Sequence, residues 1–346
     1  MDDNNDNTEV YFDSYEDLDV HRLMLNDKSR TLAYKNTIFN MKDKFTNKIV
    51  MDVGAGTGIL SIFCAQAGAK KVYAVEASNL AKLISIVAKE NNVEQVIDII
   101  EKKVEDIDTN EIEKVDIIVS EWMGFYLVHE GMLDSVIFAR DKFLKDDGLM
   151  FPSIAKIYTA PCQLPNFNEF WDDIFGVSMK CIAEKYRQSK SSKPEILLIP
   201  QEDILAEGKI IVWLDLKTVT SENLDSLGSK VVLACSKNGK YQGCAIWFDV
   251  EFPDDSVLST DPALEPTHWQ QTVIVLPTSF DVSRKEPIAF ELKFDRNNSN
   301  SRRYNVSFTM LDASEVSHEI PCDCDMTKCI VTREYIKNQF AIELDT

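Results

Sequence analysis

The feature that most constrains this chain is a change of hydrophobic period. Between Lys48 and Phe151, short runs that are apolar throughout alternate with amphipathic stretches: KIVMDV, GILSIFCAQAGA, KVYAVEAS, LAKLISIVAKENN, VIDII, KVDIIVSEW and MLDSVIFARDKFL. Strands apolar on successive residues are buried on both faces, and strands separated by helices pair in parallel, so this region predicts a parallel α/β sheet. After about Ile210 the pattern becomes strand after strand, through KIIVWLDLKTV, KVVLACSK, GCAIWFDVEF, QQTVIVLP, IAFELKFDR and RRYNVSFTML. Strands at that spacing with polar turns predict an all-β sandwich or barrel. An aromatic-rich helical segment, NFNEFWDDIFGVSMKCIAEKYRQ, and a polar stretch, SKSSKPE, lie between the two regions. Residues Glu9–Asn40 precede the first strand and carry apolar residues at helical spacing. No internal repeat is found.

Of the 346 residues 45% are hydrophobic, enough for two cores, and the formal charge of −20 is unsuited to a nucleic-acid backbone or an anionic membrane. It suits a cationic, Arg- or Lys-rich partner. No apolar run reaches membrane-spanning length. The start, MDDNNDNTEV, is acidic and resembles neither a secretory nor a transit peptide. The expected location is cytoplasm, nucleus or both, with reduced thiols.

Chemistry enters at DVGAGTG, residues Asp52–Gly58, between a strand and a helix. Glycines allow a sharp turn and close backbone approach to a ligand at the helix N-terminus. The spacing Gly54, Gly56, Gly58 is GxGxG, whereas the dinucleotide fingerprint is GxGxxG. Asp52, just upstream, would repel a pyrophosphate and attract an ammonium or sulfonium group. Glu76 closes the next strand, where a carboxylate can hold ribose hydroxyls. Together these favour S-adenosylmethionine over NAD, and a dehydrogenase is the rival enzyme class.

The strand VDIIVSEW ends at Glu121, and SEWMGFYLVHEG places a second carboxylate, Glu130, on the following loop. Ligands of open α/β sheets sit off the carboxyl ends of strands, so both acids can face the methyl donor. A glycosidase pair leaves the cofactor loop without a role, and a metal site lacks accompanying histidines. A guanidinium, with five donors in a planar fork, fits two carboxylates best.

Four motifs in order then carry a family resemblance: YFDSY at Tyr11–Tyr15, DVGAGTG, SEWMGFYLVHEGM and THW at Thr267–Trp269, with DKSRTLAY around Arg30 also fitting. The chain resembles the protein arginine N-methyltransferases, and THW with Met24 and Met132 resembles the type I enzymes. Acidic, polar composition predicts residues 1–10 as a disordered start. The resemblance implies residues 11–152 as N-terminal helices and a Rossmann-like cofactor domain, and 153–346 as a β-barrel substrate domain. A helical dimerisation arm would be inserted at about Asn166–Leu205, giving a homodimer.

By the same resemblance Glu121 and Glu130 hold the substrate arginine, and His268 pairs with Asp27 as a proton relay. Glu76 binds ribose, and Asp52 lies by the amino end of the donor. Arg30 pairs with the donor's carboxylate, and Glu105 with the Val104 backbone lies near adenine. His21 covers the ribose. Tyr11 and Tyr15 close over the donor and the arginine, Met24 and Met132 line the acceptor pocket, and Trp269 borders the substrate. The implied reaction converts arginine in histone tails or Arg-Gly-rich proteins to monomethyl- and asymmetric dimethylarginine. The alternatives are a symmetric-dimethylating or monomethylating enzyme and an inactive scaffold. His129 stands where the family often has an aromatic residue, and Gly131 where it often has serine.

The eight cysteines are scattered except Cys322, Cys324 and Cys329 in CDCDMTKC. Zinc there needs a fourth ligand. With no histidine judged close in sequence, no metal is expected, and the three read as surface thiols near a late strand.

Overall fold

The computed structural model describes residues 17–167, 169–320 and 322–343. The acidic start and the motif containing Tyr11 and Tyr15 lie outside the described residues. What the sequence presents as one helical stretch is two helices, α1 (Leu18–Asn26) and α2 (Lys28–Asn40). The break is Asp27, whose Oδ1 accepts the Arg30 N–H at 3.0 Å and so caps α2. A single turn, α3 (Lys42–Phe45), leads into the sheet.

The sheet has five parallel strands, β1 (Ile49–Val53), β2 (Lys71–Val75), β3 (Ile97–Ile100), β4 (Val115–Val119) and β5 (Leu144–Phe151), in the order β3-β2-β1-β4-β5. Helices α4 (Ile59–Gln66), α5 (Ala81–Glu90) and α6 (Met132–Phe143) make crossovers. All five residues of β1 are buried, as expected of a central strand covered on both faces. Strand order reverses between β1 and β4, which places the binding crevice beyond the carboxyl ends of these two strands.

The second lobe is antiparallel. One sheet joins β6 (Ile154–Cys162), β7 (Glu195–Leu197), β8 (Lys209–Asp215), β10 (Gly239–Glu251) and β12 (Gln271–Val282) in the order β7-β12-β10-β6-β8, with β11 (Val257–Ser259) on β10. The other joins β9 (Ser226–Ala234), β13 (Pro287–Asn297) and β14 (Asn300–Leu311). Phe248, Phe290 and Phe294 fill the space between them, in a core continuous with that of the first lobe. Tyr34 of α2 meets Phe252 edge-on at 4.9 Å, and Arg140 of α6 donates to the Leu216 and Val219 carbonyls at 2.8 and 2.7 Å. The lobes are one packed body.

The segment expected to form an arm carries two short 3₁₀ turns, helix α7 (Lys180–Lys190) and β7. Phe170 and Phe175 are 61% and 103% exposed on it. A last helix, α8 (Thr327–Glu343), follows the β lobe. The late cysteines are not the surface thiols expected: Cys324 and Cys329 are fully buried, and His318, four residues before Cys322, packs against them. Among the described residues no helix is long and apolar enough to cross a membrane.

Candidate active site

The glycine loop runs from the end of β1 to the first turn of α4. Gly54, Gly56 and Gly58 have φ of 74°, 55° and 82°, the left-handed region that favours glycine. A Cβ on Gly54 would stand 2.5 Å from Met132 Cε, so the loop and α6 approach as closely as a bare backbone allows. Glu76, just past β2, is fixed by two amides: Oε2 accepts the Gly56 N–H at 2.7 Å and Oε1 the Ser78 N–H at 2.8 Å. Val104 and Glu105 occupy a 3₁₀ turn beyond β3, and Ser135 Oγ donates to Glu105 Oε1 at 2.6 Å. His21 of α1 is buried and borders Gly56. With Met24, Arg30, Met132 and the loop glycines 54 and 56, these residues line a cavity of about 390 Å³. A bare-backbone cradle, an oriented carboxylate at the end of β2 and an acidic residue beyond β3 fit S-adenosylmethionine.

Asp52 and Gly58 do not line this cavity. Gly58 is the N-cap of α4. Asp52 has no exposure; Oδ2 accepts Ser61 Oγ–H at 2.6 Å and Oδ1 has no hydrogen-bond partner. Burial pushes its carboxyl up to about 7 against the opposing bond from Ser61. Asp52, expected by the amino end of the donor, therefore lies beneath the loop and not on the cavity wall.

The apolar residues between Glu121 and Glu130 prove to be anchors. Trp122, Met123, Tyr126, Leu127 and Val128 are buried, with Tyr126 stacked on Phe294 at 5.4 Å. The turn closes by reciprocal bonds of 3.0 Å between Gly124 and Leu127. It is strained: Tyr126, Leu127 and Glu130 have φ of 42°, 73° and 79°. Gly131, at φ 63°, leaves room for Arg302, whose Cα would lie 3.0 Å from an added Cβ. His129 Nδ1 bonds Tyr126 Oη at 2.9 Å, and burial, with Arg303 nearby, lowers its pKa.

Glu121 and Glu130 both face the cavity. Glu121 Oε2 accepts from Arg30 Nε at 2.7 Å and Nη2 at 2.5 Å, and Oε1 accepts the Met123 N–H at 3.2 Å. Burial works against the charge on Arg30, but Glu121 more than compensates and holds its pKa above the ordinary value. Arg30 was expected on the donor, and its grip on Glu121 was not foreseen. Nor was Arg302 of β14, which lines the cavity, donates to the Glu130 carbonyl at 3.0 Å and accepts the Glu130 N–H at 2.9 Å. No local pattern marks a residue 172 positions away.

The expected Asp27–His268 pair is present. Asp27 Oδ2 lies 2.7 Å from His268 Nδ1 and accepts the His268 N–H at 2.9 Å. Burial alone would raise the Asp27 pKa; the bonds from His268 and Arg30 reverse that and lower it. Trp269, expected to border substrate, is 4% exposed and donates its indole N–H to the Met123 carbonyl at 2.9 Å. It lines the cavity while holding the loop that carries the two glutamates.

Comparison with known proteins agrees with this geometry. Residues 153–312 match the family model for the arginine methyltransferase oligomerization subdomain, and residues 37–137 match that for the ribosomal protein L11 methyltransferase (PrmA). The chain is 40% identical to protein arginine N-methyltransferase 6 of Danio rerio over 320 residues, covering 89% of this chain and 91% of that protein. It is 37% identical to protein arginine N-methyltransferase 1 of Caenorhabditis elegans over 311 residues, covering 87% and 88%. The fold is similar to that in the Trypanosoma brucei PRMT1 enzyme–prozyme heterotetrameric complex with AdoHcy (TM-score 0.77, 32% identity, 88% of this chain and 98% of that one). Fold and site define an S-adenosylmethionine-dependent methyltransferase. Relatives matched over most of its length narrow the class, and the chain belongs to the protein arginine N-methyltransferase family.

Proposed function

We propose that this enzyme methylates arginine guanidinium nitrogens in Arg-Gly-rich proteins or histone tails and yields asymmetric dimethylarginine by way of the monomethyl form. The observation that carries the reading is the convergence of Glu121 and Glu130, on one strained loop, upon the cavity lined by the glycine loop and Glu76.

When bound, S-adenosylmethionine supplies an electrophilic methyl group on a sulfonium. Glu76 is placed to take ribose hydroxyls, Glu105 and the Val104 backbone to meet adenine, and His21 to cover the sugar. Arg30 is placed to hold Glu121 and to neutralise the donor's carboxylate. A guanidinium scarcely deprotonates, so it needs charge redistribution before it can act as a nucleophile. Glu121 and Glu130 accept its N–H groups and draw positive charge toward the gripped nitrogens, leaving more lone-pair density on the remaining one. Fixing that nitrogen in line and balancing positive charge with two carboxylates account for most of the barrier reduction. The methylated nitrogen then loses a proton, and His268, oriented by Asp27, is placed to receive it.

Met24 and Met132 line the same cavity and would shape how a monomethylated arginine re-enters, which favours the asymmetric product. The strong negative charge suits basic substrates. A homodimer through the 166–205 arm is the proposed assembly, supported by the exposed aromatic residues Phe170 and Phe175 and by the match to the oligomerization subdomain. Residence in the cytoplasm, the nucleus or both is proposed, where basic protein substrates of this kind would be met.

Labelled-methyl transfer to an Arg-Gly-rich peptide tests the assignment. The parent enzyme should transfer label recovered as asymmetric dimethylarginine. Glu130→Gln should lose transfer by about 100-fold or more while still binding the cofactor. Full activity in that variant would sink the clamp, and symmetric dimethylarginine would sink the product assignment.

A further inference from the structure

Beyond residue 312, where the match to the oligomerization subdomain ends, the chain gathers one histidine and three cysteines. We propose that His318, Cys322, Cys324 and Cys329 form a structural zinc site that ties the first turn of α8 to the segment leaving β14.

The ligand atoms all lie within 4.8 Å of one another. His318 Nε2 is 3.1 Å from Cys329 Sγ and 3.7 Å from Cys324 Sγ. A tetrahedral zinc ion with ordinary Zn–S and Zn–N bonds sets N···S at about 3.6 Å and S···S at about 3.8 Å. The four atoms therefore already stand near the edges of a tetrahedron and need only small shifts to admit an ion. Three soft thiolates and an imidazole select zinc over calcium or magnesium, which take oxygen ligands. Four protein ligands complete the coordination, the mark of a structural rather than a catalytic site. Binding displaces the three thiol protons to solvent.

The surroundings point the same way. Cys324 and Cys329 have no exposure, and all three cysteines are free thiols. The His318 Nδ1 is buried without a partner, so only the thiols orient the ring. The Cys324 N–H donates to Cys322 Sγ at 3.4 Å, a bond that a thiolate would strengthen. Arg333 of α8 donates to the carbonyls of Cys322 and Cys324, so a cation already braces the ligand loop.

A staple is needed here because the apolar contacts are few. The local core has three buried residues, Val232, Ala289 and Val316. Polar ties on the segment include Lys209 Nζ to Glu319 Oε2 at 3.2 Å, the Asp325 N–H to the Lys285 carbonyl at 2.9 Å and Lys328 Nζ to the Val316 carbonyl at 3.4 Å. A metal joining His318 to Cys329, the latter in the first turn of α8, closes the segment covalently and fixes the helix.

Metal analysis of the full chain, purified without chelator, should find one zinc per chain. Protein stripped of metal should take up Zn²⁺ in competition with a chromophoric chelator. With Co²⁺ it should give the thiolate charge-transfer and tetrahedral d–d bands of a three-sulfur, one-nitrogen site. His318→Ala and Cys324→Ser should lose the zinc, whereas Cys181→Ser, at an exposed cysteine elsewhere, should keep it. The cobalt spectrum is read on the parent chain and does not depend on whether a variant folds. Metal-free protein that takes up no Zn²⁺ and shows no cobalt–thiolate band would overturn the site. So would a native disulfide among the three cysteines.

Discussion

Asp52 offers a quantitative test because its carboxyl is fully buried with one oxygen unpartnered. Its pKa rises from 3.8 to about 7 on folding, chiefly through burial. Between those values the folded chain holds the proton more tightly than the unfolded chain. The stabilisation is complete below the unfolded pKa and is lost as pH rises through the folded one. At about 1.4 kcal/mol per pH unit the whole loss is about 4 kcal/mol, of which about 3 kcal/mol falls between pH 5 and pH 8. Asp52→Asn cannot ionise and should escape that loss. Urea unfolding of parent and variant at both pH values gives the difference directly, since other titrating groups are common to the two. The variant should gain on the parent by about 3 kcal/mol as pH rises, with most of the change below pH 7. A difference that stays constant between pH 5 and pH 8 would mean that Asp52 is already ionised in the folded protein, and the burial argument would fail.

The loop between the two glutamates should tolerate no side chain at Gly124, where an added Cβ would lie 2.1 Å from the His129 backbone oxygen. Gly124→Ala should abolish methyl transfer while isothermal titration still detects cofactor binding at the glycine loop; an active variant would show that the turn can reopen at little cost. The exposed Phe175 should be covered by a second chain, so light scattering should report twice the 39.3 kDa chain mass for the parent. Phe175→Asp should shift the chain toward monomer, and a parent that is monomeric at high concentration would remove the arm's proposed role.

Sequence carried the site where chemistry and backbone demand coincide. Three glycines between strand and helix can serve few purposes, and Glu76 and Glu121 follow from the rule that ligands gather at strand ends. The pairing of Asp27 with His268 rested on family resemblance, and the two lie within hydrogen-bond reach. Asp52 shows the limit. A strand buried on both faces has no polar side to give its residues a phase, so nothing local said that this carboxylate turns inward toward Ser61. Arg302 and the pairing of Arg30 with Glu121 are not legible for another reason: their partners come from distant elements, and packing alone sets who meets whom. His318 is the plainest omission. It stands four positions before Cys322, outside the CDCDMTKC run, and only α8 folding back brings Cys329 to its ring.

Trp269 and His268, side by side on the β lobe, reach across to Met123 and Asp27, and Arg302 reaches Glu130. The sequence divides cleanly near residue 152, yet the catalytic apparatus does not divide there. A chain cut at that boundary would keep its glycine loop and Glu76 and could still recognise the donor. It would lose the two clasps that Trp269 and Arg302 place on the glutamate loop, and with them the His268 bond to Asp27. A graft of its cofactor half onto another substrate lobe would have to rebuild those clasps to hold the two glutamates as they stand here.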